Sequence, residues 1–392
     1  MRIVFFANTD WYLYNFRLAT ALRLQECGVE VVMLSPPGEF GGRFRSHGIR
    51  WRTLPMRRAS LNPLRELWTL GHLVRLLWSE RPDLLHNFTV KCAIYGGIAA
   101  GLARVPAVVN AIAGMGFVFA SDRPKARALR PLVRALMRIA LGGRRSRVIL
   151  QNPDDARTLT EARLVPERSI RLILGSGVDV RRFRPQPARA RSRPLRVLLA
   201  SRLVREKGVG EFAEAARLLR TQARDIEFLL AGMPDAGNPG SIGRDEVEAW
   251  QREGRLRWLG HVEDMPALLN SVDVMVLPSY YREGVPRCLL EGAASGLGLI
   301  TTDRPGCREV VTAHGVEGLW VRPRDAPGLA RLLVQLDADR DLLQRLGAAA
   351  RRRAVRDFDE RLVIGRTLEV YDELLPAPLP GAAAANGQVR SP

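Results

Sequence analysis

No run of eighteen apolar residues occurs in this sequence, and the longest candidate, residues 92–103, is short and rich in glycine and alanine. A helix that spans a bilayer needs about 20 such residues, so no membrane span is expected. Cysteine is scarce, with only Cys27, Cys92, Cys288 and Cys307, and none of them forms a C-x-x-C pair. The five histidines include no H-E-x-x-H. A disulfide framework and structural zinc are therefore both excluded as expectations. The opening residues Ile3–Val4–Phe5–Phe6 reach Asn8, Thr9 and Asp10 too soon for a signal peptide, and they read as a buried first strand in a chain that stays in the cytoplasm. Lysine is nearly missing as well: Lys91, Lys125 and Lys207 are three of 60 basic residues.

The net charge is +19, and it is lopsided. Residues 1–190 carry 31 Lys and Arg against 13 Asp and Glu, whereas residues 191–392 carry 29 against 28. A preference for arginine explains the composition but not the asymmetry. A one-sided basic half points to nucleic acid, an anionic membrane surface or a phosphorylated substrate.

At 392 residues the chain exceeds what one hydrophobic core usually supports, so two domains are expected. Strand-like runs at 3–7, 29–34, 84–86, 107–111, 148–150 and 170–174 alternate with helical segments at 14–27, 61–79 and 93–103, the order of a parallel α/β sheet. Proline and arginine at 185–194 break the pattern as a linker would, after which it restarts at 195–200. The expected organisation is a first domain over 1–184, the linker 185–194, a second domain over 195–357, a last helix over 358–375, and a disordered Pro/Ala/Gly-rich tail over 376–392.

Two segments in the second half carry chemistry. Arg202 and Lys207 lie between a strand and a helix start, where backbone N–H groups and two cations suit a diphosphate. Glu283 and Glu291 are spaced E-x7-E around a helix expected to begin near Pro286. Both carboxylates then point to the carboxyl end of the preceding strand, where open α/β sheets bind ligands, and each accepts two hydroxyls.

Arg202, Lys207, Glu283 and Glu291, together with Gly175–Ser176–Gly177–Val178–Asp179, Trp258–Leu259–Gly260–His261–Val262 and the run from Thr301 to Val311, resemble family 4 of the retaining GT-B glycosyltransferases. The resemblance covers about residues 1–375. It implies an α/β fold of two facing Rossmann-like domains with the active site in the cleft between them. It also implies a UDP-sugar donor held by the second domain, and a last helix that crosses back to the first. Arg202 and Lys207 would hold the diphosphate, Glu283 the transferred sugar and Glu291 the ribose. Gly284, Val285, Pro286 and Arg287 would line sugar or phosphate, and Gly260, His261 and Val262 the base. Glu283, Arg202 and Lys207 are the candidates for the catalytic role.

In the first half, the segments 8–17, 86–91 and 110–116, with Tyr95–Gly96, resemble the subgroup that extends lipid-diphosphate-linked oligosaccharides. From these segments Asn8, Thr9, Tyr12, Asn15, His86, Lys91, Asn110 and Gly114 are the candidate acceptor residues. Asn8–Thr9 replaces a common Gly-Gly, Ala113 a common histidine that contacts sugar, and Gly298 a common proline. Residues 123–147 present Arg123, Arg127, Arg130, Arg134 and Arg138 at helical spacing, with Leu129, Leu132, Val133, Leu136 and Ile139 opposite. That basic amphipathic helix, near Trp68 and Trp78, suits peripheral contact with an anionic inner leaflet. Asp337–Ala338–Asp339 has D-x-D spacing but lies in a polar turn between helices, so no metal and no cofactor are expected.

The reading is a retaining transfer of a hexose or N-acetylhexosamine from a UDP-sugar to a polyprenyl-diphosphate-linked sugar. An epimerase of the same architecture lacks its set of acid–base residues here. A nucleic-acid partner is not expected, since arginine and aromatic residues are not interleaved on a binding motif.

Overall fold

The computed structural model describes residues 1–57, 60, 62–114, 124–185, 194–235 and 237–379. The chain forms two compact units: residues 1–176 joined by the chain from Arg361 onward, and Gly177–Glu360.

In the first unit, β1 (Arg2–Phe6), β2 (Glu30–Ser35), β3 (Arg50–Thr53), β4 (Leu84–Phe88), β5 (Ala107–Ile112), β6 (Ser146–Leu150) and β7 (Ile170–Leu172) form a sheet ordered β3-β2-β1-β4-β5-β6-β7. All its pairings are parallel. The inner strands β1 and β4 are buried on both faces, which is why they read as continuous apolar runs. One face carries α1 (Asp10–Glu26) and the chain's last helix, whose Val363, Leu368 and Tyr371 join Leu13 and Leu24 in the core. The other carries α2 (Pro63–Glu80), α3 (Val90–Ala103) and α4 (Pro124–Leu141). Helix α1 starts at Asp10, earlier than expected, because the Thr9 hydroxyl accepts the Tyr12 N–H at 3.1 Å. Strand β3 escapes the sequence reading because it is a polar edge, its Arg50 and Arg52 pairing with the buried Glu80 at 2.6 and 2.7 Å.

After α5 (Pro153–Glu161), the second unit holds β8 (Leu195–Ala200), α6 (Val209–Thr221), β9 (Ile226–Ala231), α7 (Arg244–Arg252), β10 (Arg257–Gly260), α8 (Met265–Leu269) and β11 (Val274–Leu277). It continues with α9 (Arg287–Ala294), β12 (Gly298–Thr301), β13 (Leu319–Trp320), α10 (Ala326–Ala338) and α11 (Arg340–Asp357), and α12 (Glu360–Asp372) then leads back into the first unit. The parallel sheet runs β10-β9-β8-β11-β12-β13.

Residues 177–183, placed in the first domain from sequence, fold with the second unit. Val178 exchanges backbone hydrogen bonds with Phe358 and Glu360, and Arg351 donates to the carbonyls of Val180 and Phe183. Pro185 packs on Gly296, while linker residues 186–193 lie outside the described residues. Of the expected tail, Leu379 is buried and donates its N–H to Asp372 at 2.7 Å, so ordered packing extends four residues further than composition suggests. Residues 380–392 lie outside the described residues.

Helix α4 packs only in part as expected. Val133 and Leu136 pack against the core together with Met137, Ala140 and Leu141, whereas Leu132 and Ile139 are exposed. Arg123, and the side chain of Arg127, lie outside the described residues.

Candidate active site

In the second sheet the strand order reverses between β8 and β11, and the loops that follow these strands meet there. Gly208 (φ +77°) lets them touch, for a Cβ would stand 2.4 Å from the Pro278 carbonyl oxygen. The Tyr280 N–H donates to the Glu206 carbonyl at 3.0 Å, and the Ser279 hydroxyl lies 2.9 Å from Glu283 Oε1. The same oxygen of Glu283 lies 2.6 Å from Lys207 Nζ. Two candidates 76 positions apart are thus an almost buried ion pair at the switch point. Beneath them Gly306 packs on Glu283 and on the Gly284 carbonyl, too close for any Cβ.

Arg202 is half exposed and paired with Asp235, a residue that sequence reading passed over. Asp235 is itself held by the Asn238 amide at 3.1 Å and, through its N–H, by the Ser241 hydroxyl at 3.0 Å. The signal available in sequence was weak: an isolated acid in a Pro/Gly loop.

Glu291 lies in the second turn of α9, which starts after Pro286, and accepts a bond from Arg287 Nε at 2.9 Å. Burial raises its carboxyl above the usual 4.5, with Arg287 opposing. For an acid with a raised folded-state pKa, ionisation costs stability as pH rises through that range. The ionised form is the one that accepts hydroxyls. If Glu291 takes ribose hydroxyls of a UDP donor, as the family resemblance implies, UDP affinity falls as pH drops through a midpoint above 4.5, whereas Glu291→Gln binds weakly and loses that step. Calorimetry across pH checks it; the same acid limb in both proteins would rule Glu291 out.

Val285 and Pro286 are buried in the turn, and Gly284 and Arg287 partly so. Gly260 (φ +66°) ends β10 and accepts the Gly232 N–H at 2.7 Å. His261 is exposed and Val262 partly so.

The acceptor candidates are placed less uniformly. Asn8 and Thr9 follow β1 and Thr9 caps α1, Tyr12 accepts a bond from Arg17, and Asn15 donates to the Trp11 carbonyl. Gly114 (φ +81°) follows β5. His86 is fully buried on the face toward α12, with Nδ1 2.6 Å from the Tyr371 hydroxyl. Asn110 is enclosed in a ladder in which Asn87 donates to it and it donates to Ser146. Lys91 bonds the Arg57 and Ser60 carbonyls and Glu66. Its three N–H bonds are spent holding the loop before α2. Asp10, not among the candidate acceptor residues, is buried and accepts the N–H groups of Phe40 and Gly41 at 2.7 and 2.9 Å, fixing the loop after β2.

Residues 2–152 match the family model described as glycosyl transferase 4-like, and 194–339 match that of glycosyl transferases group 1. The chain is 27% identical over 96% of its length, and 99% of the relative's, to an N,N'-diacetylbacillosaminyl-diphospho-undecaprenol α-1,3-N-acetylgalactosaminyltransferase of Campylobacter jejuni. It is 24% identical, over 81% of its length and 82% of the relative's, to a UDP-Gal:α-D-GlcNAc-diphosphoundecaprenol α-1,3-galactosyltransferase of Escherichia coli. Among solved structures, Anabaena HepE in complex with UDP and glucose superposes with a TM-score of 0.75 at 19% identity, covering 95% of this chain and all of that one. The chain belongs to the family 4-like GT-B glycosyltransferases.

In this glycosyltransferase the D-x-D segment has other partners. Asp337, in the last turn of α10, pairs with Arg340 at 2.6 Å, and Asp339 caps α11 by accepting the Leu342 N–H at 2.8 Å. Among the described residues no group of three or more His, Cys, Asp or Glu could hold a metal ion, and no helix is long and apolar enough to cross a membrane.

Proposed function

We propose that this glycosyltransferase moves a hexose or N-acetylhexosamine, with retention, from a UDP-sugar to a polyprenyl-diphosphate-linked sugar at an anionic membrane surface. The observation that carries the reading is the 2.6 Å Lys207–Glu283 pair, set beside Arg202 and Glu291 at the switch point of the second sheet. Arg202 and Lys207 hold the diphosphate, Glu283 takes hydroxyls of the transferred sugar and Glu291 those of the ribose. As the bond from C1 to the diphosphate oxygen breaks, a bond from C1 to the acceptor oxygen forms on the same face. The departing diphosphate takes the acceptor proton, and the cations balance its charge without a metal. The acceptor class is the one named for both relatives, and the UDP donor accords with the HepE complex.

The first unit would meet the membrane. Leu64, Leu67 and Trp68 on α2, and Leu132 and Ile139 on α4, are exposed large apolar residues, and Arg134 is exposed beside them in α4. An apolar face flanked by arginine suits an anionic leaflet.

Transfer from an α-linked UDP-sugar is expected to give an α-linked product by NMR, at an unchanged rate after exhaustive EDTA treatment and in Asp337→Asn. A β-linked product would overturn retention. Activity lost to EDTA and restored by Mg²⁺ or Mn²⁺ would overturn the metal-free mechanism.

A further inference from the structure

A buried guanidinium with no acid beside it occurs in the first unit. Arg17 in α1 is 6% exposed, and no carboxylate pairs with it among the described residues. Its Nη2 donates to the Tyr12 hydroxyl at 3.0 Å, and its plane lies over Phe88, 4.5 Å from the ring centroid, at the end of β4. Its Nε–H has no partner among the described residues. Long side chains on a helix lean toward its N-terminus, which brings this one to the carboxyl ends of β1 and β4, where the strand order of the sheet reverses.

His86 stands on the same face two residues before Phe88, its ring 4.0 Å from that of Phe88 by centroids. The Tyr371 hydroxyl, 2.6 Å from Nδ1, has no other acceptor among the described residues, so it donates to Nδ1 and the ring proton sits on Nε2. That Nε2–H is buried and, among the described residues, unpartnered too. The Tyr12 hydroxyl, which accepts from Arg17, has a proton of its own with no acceptor among the described residues. Three donors, one of them cationic, thus converge with nothing among the described residues to receive them. Buried polar groups are ordinarily satisfied, and a buried charge ordinarily has a counterion. A cavity that lacked only water would not call for a permanent cation.

We infer that Arg17, His86 Nε2–H and the Tyr12 hydroxyl form an anion site in the first unit that takes the diphosphate of the lipid-linked acceptor. The identity of the occupant rests on the function proposed above; the anion site does not. Arg17 donates in a planar fork suited to phosphoryl oxygens, neutral His86 adds a second donor fixed by Tyr371, and Phe88 supplies the floor.

Inorganic pyrophosphate titrated into protein already saturated with UDP tests the site, since the donor cations are then occupied. The wild type is expected to bind it, and Arg17→Gln to bind it at least about tenfold more weakly, as loss of a charged hydrogen bond predicts, with UDP affinity unchanged. Arg17→Lys, which keeps the charge and the packed stem but not the fork, should fall between and serves in place of Arg17→Gln should thermal melts show that variant unfolded. Equal pyrophosphate affinity in wild type and variant, or none in the UDP-saturated wild type, overturns the site. Loss of pyrophosphate binding with an unchanged KM for a lipid-diphosphate acceptor overturns the occupant. Pyrophosphate bound through Arg17 in an enzyme that transfers to no lipid-linked acceptor would sink the proposed function and leave the anion site standing.

Discussion

Replacing Lys207 by alanine is expected to lower transfer by about 10²–10³-fold, the usual effect of removing one group that stabilises charge developing on a leaving atom. The substitution also takes the cation from Glu283, whose side chain is only 10% exposed and is paired with Lys207 at 2.6 Å. Taking the cation from such an almost buried pair removes its charge balance, so Lys207→Ala should melt at lower temperature than the wild type as well. The two effects separate in the double variant. Lys207→Ala with Glu283→Gln removes the buried negative charge as well, and its melting temperature should recover while transfer stays low. Glu291→Ala, tested in parallel, should weaken UDP binding and leave the Lys207–Glu283 pair intact. Turnover and UDP affinity by calorimetry, with thermal melts, decide the matter. Normal turnover and normal UDP affinity in both single variants would remove the donor site from this part of the fold.

The donor candidates stand out in sequence because Arg202, Lys207 and Glu283 lie in segments that follow strands and Glu291 lies in the helix after Glu283, in the order strand, basic loop, strand and E-x7-E. The pairing of Lys207 with Glu283 needed the sheet, whose switch between β8 and β11 brings together loops far apart in sequence. The acceptor side was less legible, and for a specific reason. A polar residue near a strand end looks the same whether it awaits a ligand or bonds its own chain. Lys91 and Asn110 bond their own chain, closing a loop and a ladder across β4, β5 and β6. Arg17 is the reverse case, one arginine among many in the sequence and conspicuous only because no carboxylate among the described residues pairs with it. The expected amphipathic helix had the right period, but periodicity does not say which flank meets the core. Met137 and Leu141 pack inward at the arginine-bearing flank, leaving Leu132 and Ile139 outside.

That outward flank makes the membrane proposal sharper than charge alone does. A folded domain has no internal use for Leu132 at 58% and Ile139 at 70% exposure, in one helix with the exposed Arg134 and in the same layer as Leu64, Leu67 and Trp68. Each basic residue near an anionic leaflet contributes about 1 kcal/mol, and each aliphatic side chain buried about 1.5–3 kcal/mol. Arg130→Gln with Arg134→Gln should therefore weaken binding to anionic vesicles about thirtyfold, while Leu132→Ser with Ile139→Ser should weaken it at least as much. The two pairs should differ in salt dependence. Charge attraction is screened beyond about 8 Å at physiological ionic strength, so added salt should erase the difference between wild type and the arginine pair but not that between wild type and the apolar pair. Transfer to a lipid-linked acceptor in vesicles should drop with binding, and transfer to a short water-soluble acceptor should not. Equal loss on both acceptors would mean that α4 supports the fold or the site instead, and wild-type binding that ignores both salt and lipid charge would sink the electrostatic part of the proposal.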